Sequence, residues 1–186
     1  MLTFDEATHV YRYNGAVVPS VTQIIDRIFP WNPPPGIDVD YVRSRGRAIH
    51  HACRLYDEGR LDESSVDSSI TPRLDAWKRF RHQMQRPVID CETARYSPLY
   101  RFAGTRDRMF SGGLLCDIKS SRTKTAPLQL GGYAILDTDA TEGVVVVLND
   151  NGTYCADWYT TKELRRLSAM FTACVTLYGY AAEQGL

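Results

Sequence analysis

Residues 102–120 read Phe102-Ala103-Gly104-Thr105-Arg106-Asp107-Arg108-Met109-Phe110, then Ser111-Gly112-Gly113, then Leu114-Leu115-Cys116-Asp117-Ile118-Lys119-Ser120. Two runs of strand character flank Ser-Gly-Gly, which is a hairpin signal. In the second run side chains alternate between faces with period 2. Leu115, Asp117 and Lys119 therefore share one face, and Leu114, Cys116 and Ile118 the other. An acid and a base stand side by side over an apolar layer, and the hairpin brings Asp107 next to Asp117. Two carboxylates held close repel, which raises one pKa. A divalent cation removes that penalty by taking their oxygens as ligands. Mg²⁺ suits such a site, because it prefers hard oxygen donors and borrows substrate phosphates to complete its shell. A lysine two residues beyond the acid can hold or deprotonate an attacking water. That is an arrangement for cleaving phosphodiesters.

Upstream, Val88 to Tyr96 reads as a strand, with Val88, Asp90, Glu92 and Ala94 on one face, so the three runs form a meander. Downstream, polar and basic residues 120–125 lead into a helix from about Pro127 to Leu136. Gln129 and Tyr133 stack on one face of that helix, whose first turns lie beside the acids. A glutamine there can bond a phosphate, a base edge or a water, and a tyrosine can buttress a ligand. Gly143 to Leu148 is a valine run, the mark of a buried strand. Asn149-Asp150-Asn151-Gly152 turns it back into an outer strand, Tyr154 to Tyr159, and Thr160 or Thr161 caps a last helix to about Tyr180.

Before the meander, Asn14-Gly15 predicts a hairpin between residues 9–13 and 16–18. Ser20 caps a short helix, Val21 to Phe29, and Pro30 to Gly36 is a stiff connector. A helix follows over Asp38 to Gly59, in which Gly46 and His50 lie one turn apart. Thr71 caps the next helix, with Pro72 in its first turn, and Pro87 closes it. The order of elements predicts an α/β (α+β) fold with a mixed sheet between helices. It predicts one domain over residues 1–186, with 1–36 as hairpin, short helix and connector and 37–186 as core.

The 186 residues suffice for one sizeable core. Equal numbers of basic and acidic residues, 22 each, leave no global charge to attract nucleic acid. Arginine clusters at 43–47, 79–81 and 106–108 still allow local basic patches. No apolar run is long enough to span a membrane, and the acidic start Met1-Leu2-Thr3-Phe4-Asp5-Glu6 shows no secretory leader. The expected location is therefore cytoplasmic. Five scattered cysteines without a Cys-x-x-Cys pair predict reduced thiols, with no zinc site and no iron–sulfur cluster. No Gly-x-x-x-x-Gly-Lys-[Ser/Thr] loop occurs, so no nucleotide cofactor is expected.

Gly46-x-x-x-His50, Glu92, Gly104-x-x-Asp107, Asp117-Ile118-Lys119 and Gln129-x-x-x-Tyr133 occur in that order. This ordered set resembles the RecB-like and lambda-exonuclease-like branch of the PD-(D/E)xK nuclease superfamily. Val18-Pro19-Ser20-Val21-Thr22 looks like the opening of its phage-type members. The resemblance implies a restriction-endonuclease-like fold with an α-β-β-β-α-β core. It implies that Asp107, Asp117 and Glu92 bind metal with His50 and the Ile118 carbonyl, that Lys119 orients or activates water, and that Gln129 and Tyr133 flank the site. Mg²⁺, with Mn²⁺ able to substitute, is the implied cofactor, and DNA the implied substrate. Arg106, Arg108, Arg122 and Lys124 flank the acids and are expected to grip phosphates. Arg106 stands where the family pattern has proline. The implied activity is a DNA exonuclease of phage type, in the host cytoplasm, used in recombination, replication or repair. A structure-specific or nicking endonuclease, and a catalytically silent nucleic-acid-binding protein, are the alternatives. A single-strand-annealing or recombination protein is the partner class such an enzyme would meet, and an oligomer is compatible with it.

Overall fold

The computed structural model describes residues 1–6 and 8–185. At the N-terminus, β1 (Leu2–Asp5), β2 (Val10–Tyr13) and β3 (Ala16–Val18) form a small antiparallel sheet. Asn14 and Gly15 both take positive φ, as a two-residue hairpin turn requires. β1 was not expected from the sequence. Its alternation is only four residues long, too short to distinguish from a loop.

Helix α1 (Val21–Ile28) starts at Ser20, whose hydroxyl accepts from the amide of Gln23 while Gln23 accepts from that of Ser20. Helix α2 (Val39–Asp57) is capped by Asp38. Helix α3 (Thr71–Met84) corrects one expectation: Thr71 is inside the first turn, not at its cap. Its hydroxyl donates to the Asp67 carbonyl instead. Left-handed Gln85, ahead of Pro87, ends the helix.

The main sheet holds β4 (Val88–Ser97), β5 (Phe102–Phe110), β6 (Leu114–Lys119), β7 (Glu142–Leu148) and β8 (Tyr154–Tyr159), side by side in that order. β6 and β7 are parallel and the other pairs antiparallel. Parallel pairing needs a crossover, supplied by α4 (Ala126–Leu136). Helix α5 (Thr161–Gln184) opens with a capping box between Thr160 and Glu163. The result is the expected mixed sheet flanked by helices, with α3, β4, β5, β6, α4 and β7 in the order α-β-β-β-α-β.

Helices α2 and α3 cover one face through Ile49, Cys53, Trp77 and Phe80, packed on Phe110, Leu114, Cys116, Ile118, Val144 and Val146. Helices α1, α4 and α5 cover the other, on Met109, Leu115, Val145 and Val147. β7 is buried on both faces, which is why its sequence is a run of valines rather than an alternation. Gly131 permits close packing of α4 on α5: a Cβ there would lie 2.5 Å from the Leu167 backbone.

Candidate metal centre at the fork of two strands

β5 and β6 pair from Phe110↔Leu114 to Arg108↔Cys116, where the ladder stops. Continuing the register would set Asp107 opposite Asp117. There the strands part, and the Asp107 carboxylate replaces the ladder: its Oδ2 accepts from the Ile118 amide at 2.6 Å. Its Oδ1 faces His50 Nδ1 of α2 at 3.1 Å. Gly104 lets the far end of α4 seat against β5, since a Cβ there would lie 3.0 Å from Tyr133, Leu136 and Val21.

Glu92 reaches the same point from β4. It has φ +49°, a left-handed backbone within a strand, which costs on the order of 1–3 kcal/mol for a non-glycine residue. The register of β4 on β5 also shifts between Val88 and Asp90. That shift precedes both acids; the left-handed backbone at Glu92 is what separates the two expected on one face. Asp90 pairs with Arg106 and Arg95, whereas Glu92 meets Arg108 and the acid cluster. Among the described residues, His50, Glu92 and Asp107 are the metal-capable group whose ligand atoms all lie within 4.8 Å of one another.

Asp117 lies outside that trio but within its electrostatic reach. Lys119 Nζ sits 2.9 Å from its Oδ1 and 2.8 Å from its Oδ2. Asp117 Oδ2 is buried and has no hydrogen bond of good direction. Burial pushes the Asp117 carboxyl up to about 6; the ammonium of Lys119 pulls it down and the charge of Asp107 adds to the rise. Burial and then Asp107 raise Glu92 to about 7. Asp107 is held down to about 2, because His50, Lys119 and the Ile118 amide outweigh its burial. Burial lowers His50, but Asp107 outweighs it, so its pKa is raised. Crowded, buried carboxylates make an oxygen-rich donor set with one imidazole. Such a set fits a hard divalent cation such as Mg²⁺ or Mn²⁺.

Gln129 Nε2 donates to the Tyr133 hydroxyl at 2.7 Å. Burial raises the Tyr133 pKa, with Asp117 and Asp107 adding to it, which places the pair beside the acids. Arg122 is exposed and pairs with Asp157 at 3.1 Å; Lys124 is exposed. Both edge a groove of about 760 Å³ whose floor includes Val145 and Val147. These valines are the β7 register partners of Asp117 and Lys119, so the groove lies one strand away from that pair, neither of which lines it.

Arg106 and Arg108 do not reach solvent, which corrects the expectation that they grip phosphates. Arg106 is 4% exposed and is held by Asp90 and Asp137. Arg108 is 0% exposed. Its Nε donates to Asp57 Oδ2 at 2.7 Å, and its Nη1 donates to Glu92 Oε1 at 3.1 Å and to the Asp107 carbonyl at 2.6 Å. Asp57 is the site-shaping residue that sequence reading missed. Its signal was position: two turns beyond His50 on α2, on the same side of the helix.

No family model matches the sequence, and no curated protein matches it. Among solved structures, the chain is similar to an alkaline exonuclease from Laribacter hongkongensis. Identity is 10% and the TM-score 0.44, over 90% of this chain and 94% of that one. It is similar also to that exonuclease in complex with dAMP, at 12% identity and a TM-score of 0.45, over 91% of this chain and 95% of that one. No helix among the described residues is long and apolar enough to cross a membrane.

Proposed function

We propose that this chain is a divalent-cation-dependent deoxyribonuclease acting as an exonuclease on linear DNA. The observation that carries the reading is the convergence of His50, Glu92 and Asp107, from three separate elements, within 4.8 Å, beside the Asp117–Lys119 pair. Glu92, Asp107 and His50 would hold the cation, with Asp117 and the Ile118 carbonyl completing its protein ligands. Bound there, Mg²⁺ or Mn²⁺ would supply the positive charge that polarises a phosphodiester and lowers the pKa of water.

The chain's own residues do the rest. Asp117 fixes the Lys119 ammonium, whose remaining N–H groups orient a water toward phosphorus and offset charge on the phosphoryl oxygens. Gln129, its amide nitrogen committed to Tyr133, presents its carbonyl oxygen to that water or to the nucleotide. Hydrolysis forms a bond from the water oxygen to phosphorus and breaks the bond to the leaving oxygen, which takes up a proton. The exposed Arg122 and Lys124 hold phosphates on the groove side. A single domain, a recombination or phage setting, an annealing partner and an oligomeric assembly belong to this proposal through the family resemblance.

The test is digestion of end-labelled linear and closed-circular DNA with Mg²⁺ by wild type, Asp117→Ala and Lys119→Ala. Wild type should degrade linear DNA, and each variant should lose at least 100-fold in rate, about 2.7 kcal/mol. Equal activity in all three proteins would overturn the assignment. Cleavage of the closed circle would move it to an endonuclease.

A further inference from the structure

The metal centre uses only the inner end of one face of α2. At 3.6 residues per turn, Arg43, Gly46, Arg47 and His50 share that face, with Arg47 and Arg43 roughly 4.5 and 10.5 Å along the axis from His50. Both arginines are exposed. Neither has a hydrogen bond or ion pair among the described residues, although the charge of Arg43 reaches Asp26 of α1. Arg45, on another side of the helix, is by contrast tied to Asp150 and the Ser69 carbonyl.

Between the two arginines and His50 the helix is bare. A Cβ on Gly46 would meet nothing within 4 Å. A mid-helix glycine costs about 0.5–1 kcal/mol relative to alanine, and no neighbouring side chain in the folded chain needs the space. At the far end, the segment that joins α1 to α2 leads straight into the start of this helix, ten residues separating Ile28 from Val39, and the charge of Arg43 is felt at Asp26 of α1. Phe29 and Trp31 stand just beyond Asp26, 51% and 52% exposed, on a segment stiffened by Pro30 and residues 33–35.

We propose that this face of α2, with Phe29 and Trp31 at its head, is the track by which one unpaired DNA strand reaches the acid–histidine cluster. This rests on the nuclease reading above. Arg43 and Arg47 take successive phosphates. Gly46 lets the strand pass close to the helix. Phe29 and Trp31 stack on bases, which only an unpaired strand offers, since paired bases are already stacked in the duplex. The occupant is therefore a single strand, not a duplex.

The test is fluorescence anisotropy with a labelled single-stranded oligonucleotide and its duplex, in EDTA so that no cleavage occurs. Wild type should bind the single strand more tightly than the duplex, with quenching of tryptophan fluorescence that Trp31→Ala abolishes. The double variant Arg43→Gln, Arg47→Gln should bind at least 10-fold more weakly, with the slope of log K against log salt reduced by about 1.4, the value for two lost single-strand contacts. Gly46→Gln keeps every charge and favours the helix. It should lose single-strand affinity while its melting temperature holds or rises, which separates a blocked track from misfolding. Arg165→Gln, Arg166→Gln, a matched charge removal on α5, should bind as wild type does. Wild-type binding by the arginine and glycine variants, or preference for duplex, would overturn the track. If wild type cleaves DNA with Mg²⁺ in that case, the nuclease reading stands without the track. If wild type neither binds Mg²⁺ nor cleaves, but the binding losses appear as described, the strand surface stands and the nuclease reading fails.

Discussion

Glu92 carries the local cost of the site. Its backbone is left-handed, its carboxyl lies near that of Asp107, and its pKa is raised to about 7. Glu92 and Asp117, the latter raised to about 6, have folded-state pKa values above their unfolded values near 4. Without a cation their contribution to stability is full below about pH 4 and is lost as pH rises through about 6 and 7. His50, also raised, acts in the same direction. Asp107, held down to about 2, has the opposite sign, but its contribution is lost only as pH falls toward 2. The melting temperature in EDTA should therefore fall between about pH 5 and pH 8. Mg²⁺ should restore it, and do so most at the alkaline end. Thermal melts at three pH values with EDTA and with Mg²⁺ check this, and Glu92→Gln should flatten the decline. The sequence placed Asp107, Asp117 and Lys119 by simple alternation, because β5 and β6 are regular up to the fork. It could not orient Glu92, since nothing in Cys91-Glu92-Thr93 announces a positive φ. Arg108 was legible in principle: two residues before Phe110, it falls on the face of Cys116 and so in the core.

At the scale of elements, α2 is tied to the sheet by a buried charge network. Asp57 accepts from Arg108 Nε at 2.7 Å, from Arg81 Nε at 2.8 Å and from Trp77 Nε1 at 3.1 Å. The Arg81 guanidinium lies 4.8 Å from the centre of the Phe110 ring. Asp57→Ala would leave Arg108 without its main counter-charge in an apolar layer. Breaking such a pair costs about 3–5 kcal/mol, so the variant should lower the denaturation midpoint in urea by a matching amount, read against wild type. Helix boundaries were legible where a side chain caps them, as at Ser20, Asp38 and Thr160. They were less so at α3, where Ile70 occupies the cap without a side-chain bond and Thr71 next to Pro72 imitates one.

For the whole molecule, the N-terminal sheet is joined to the main one by several links. The Tyr11 hydroxyl and Thr105 Oγ1 lie 2.8 Å apart, Tyr13 stacks on Tyr96 with ring centres 4.0 Å apart, and the Ala103 amide donates to the Pro19 carbonyl at 2.9 Å. Melting followed in the near ultraviolet, which reports the packed tyrosines, should coincide with melting in the far ultraviolet. An earlier near-ultraviolet transition would mean that residues 1–36 unfold on their own. The succession of strands from β2 to β8 along the chain was legible from the sequence, because turns and helices punctuate it. The layer assignment of α2 against α4 was not, since nothing in either helix says which face of the sheet it will cover and only the packed sheet decides between them.

The partners at the fork are distant along the chain: His50 and Asp107 are 57 residues apart, and Asp57 and Arg108 are 51. Closing loops of that length gives no local reward until the strands have paired. Synthesis proceeds from the N-terminus, so a chain still on the ribosome presents the imidazole of His50 long before Asp107 can join it. The half-made protein lacks the carboxylates that complete the cluster until the hairpin has emerged and docked.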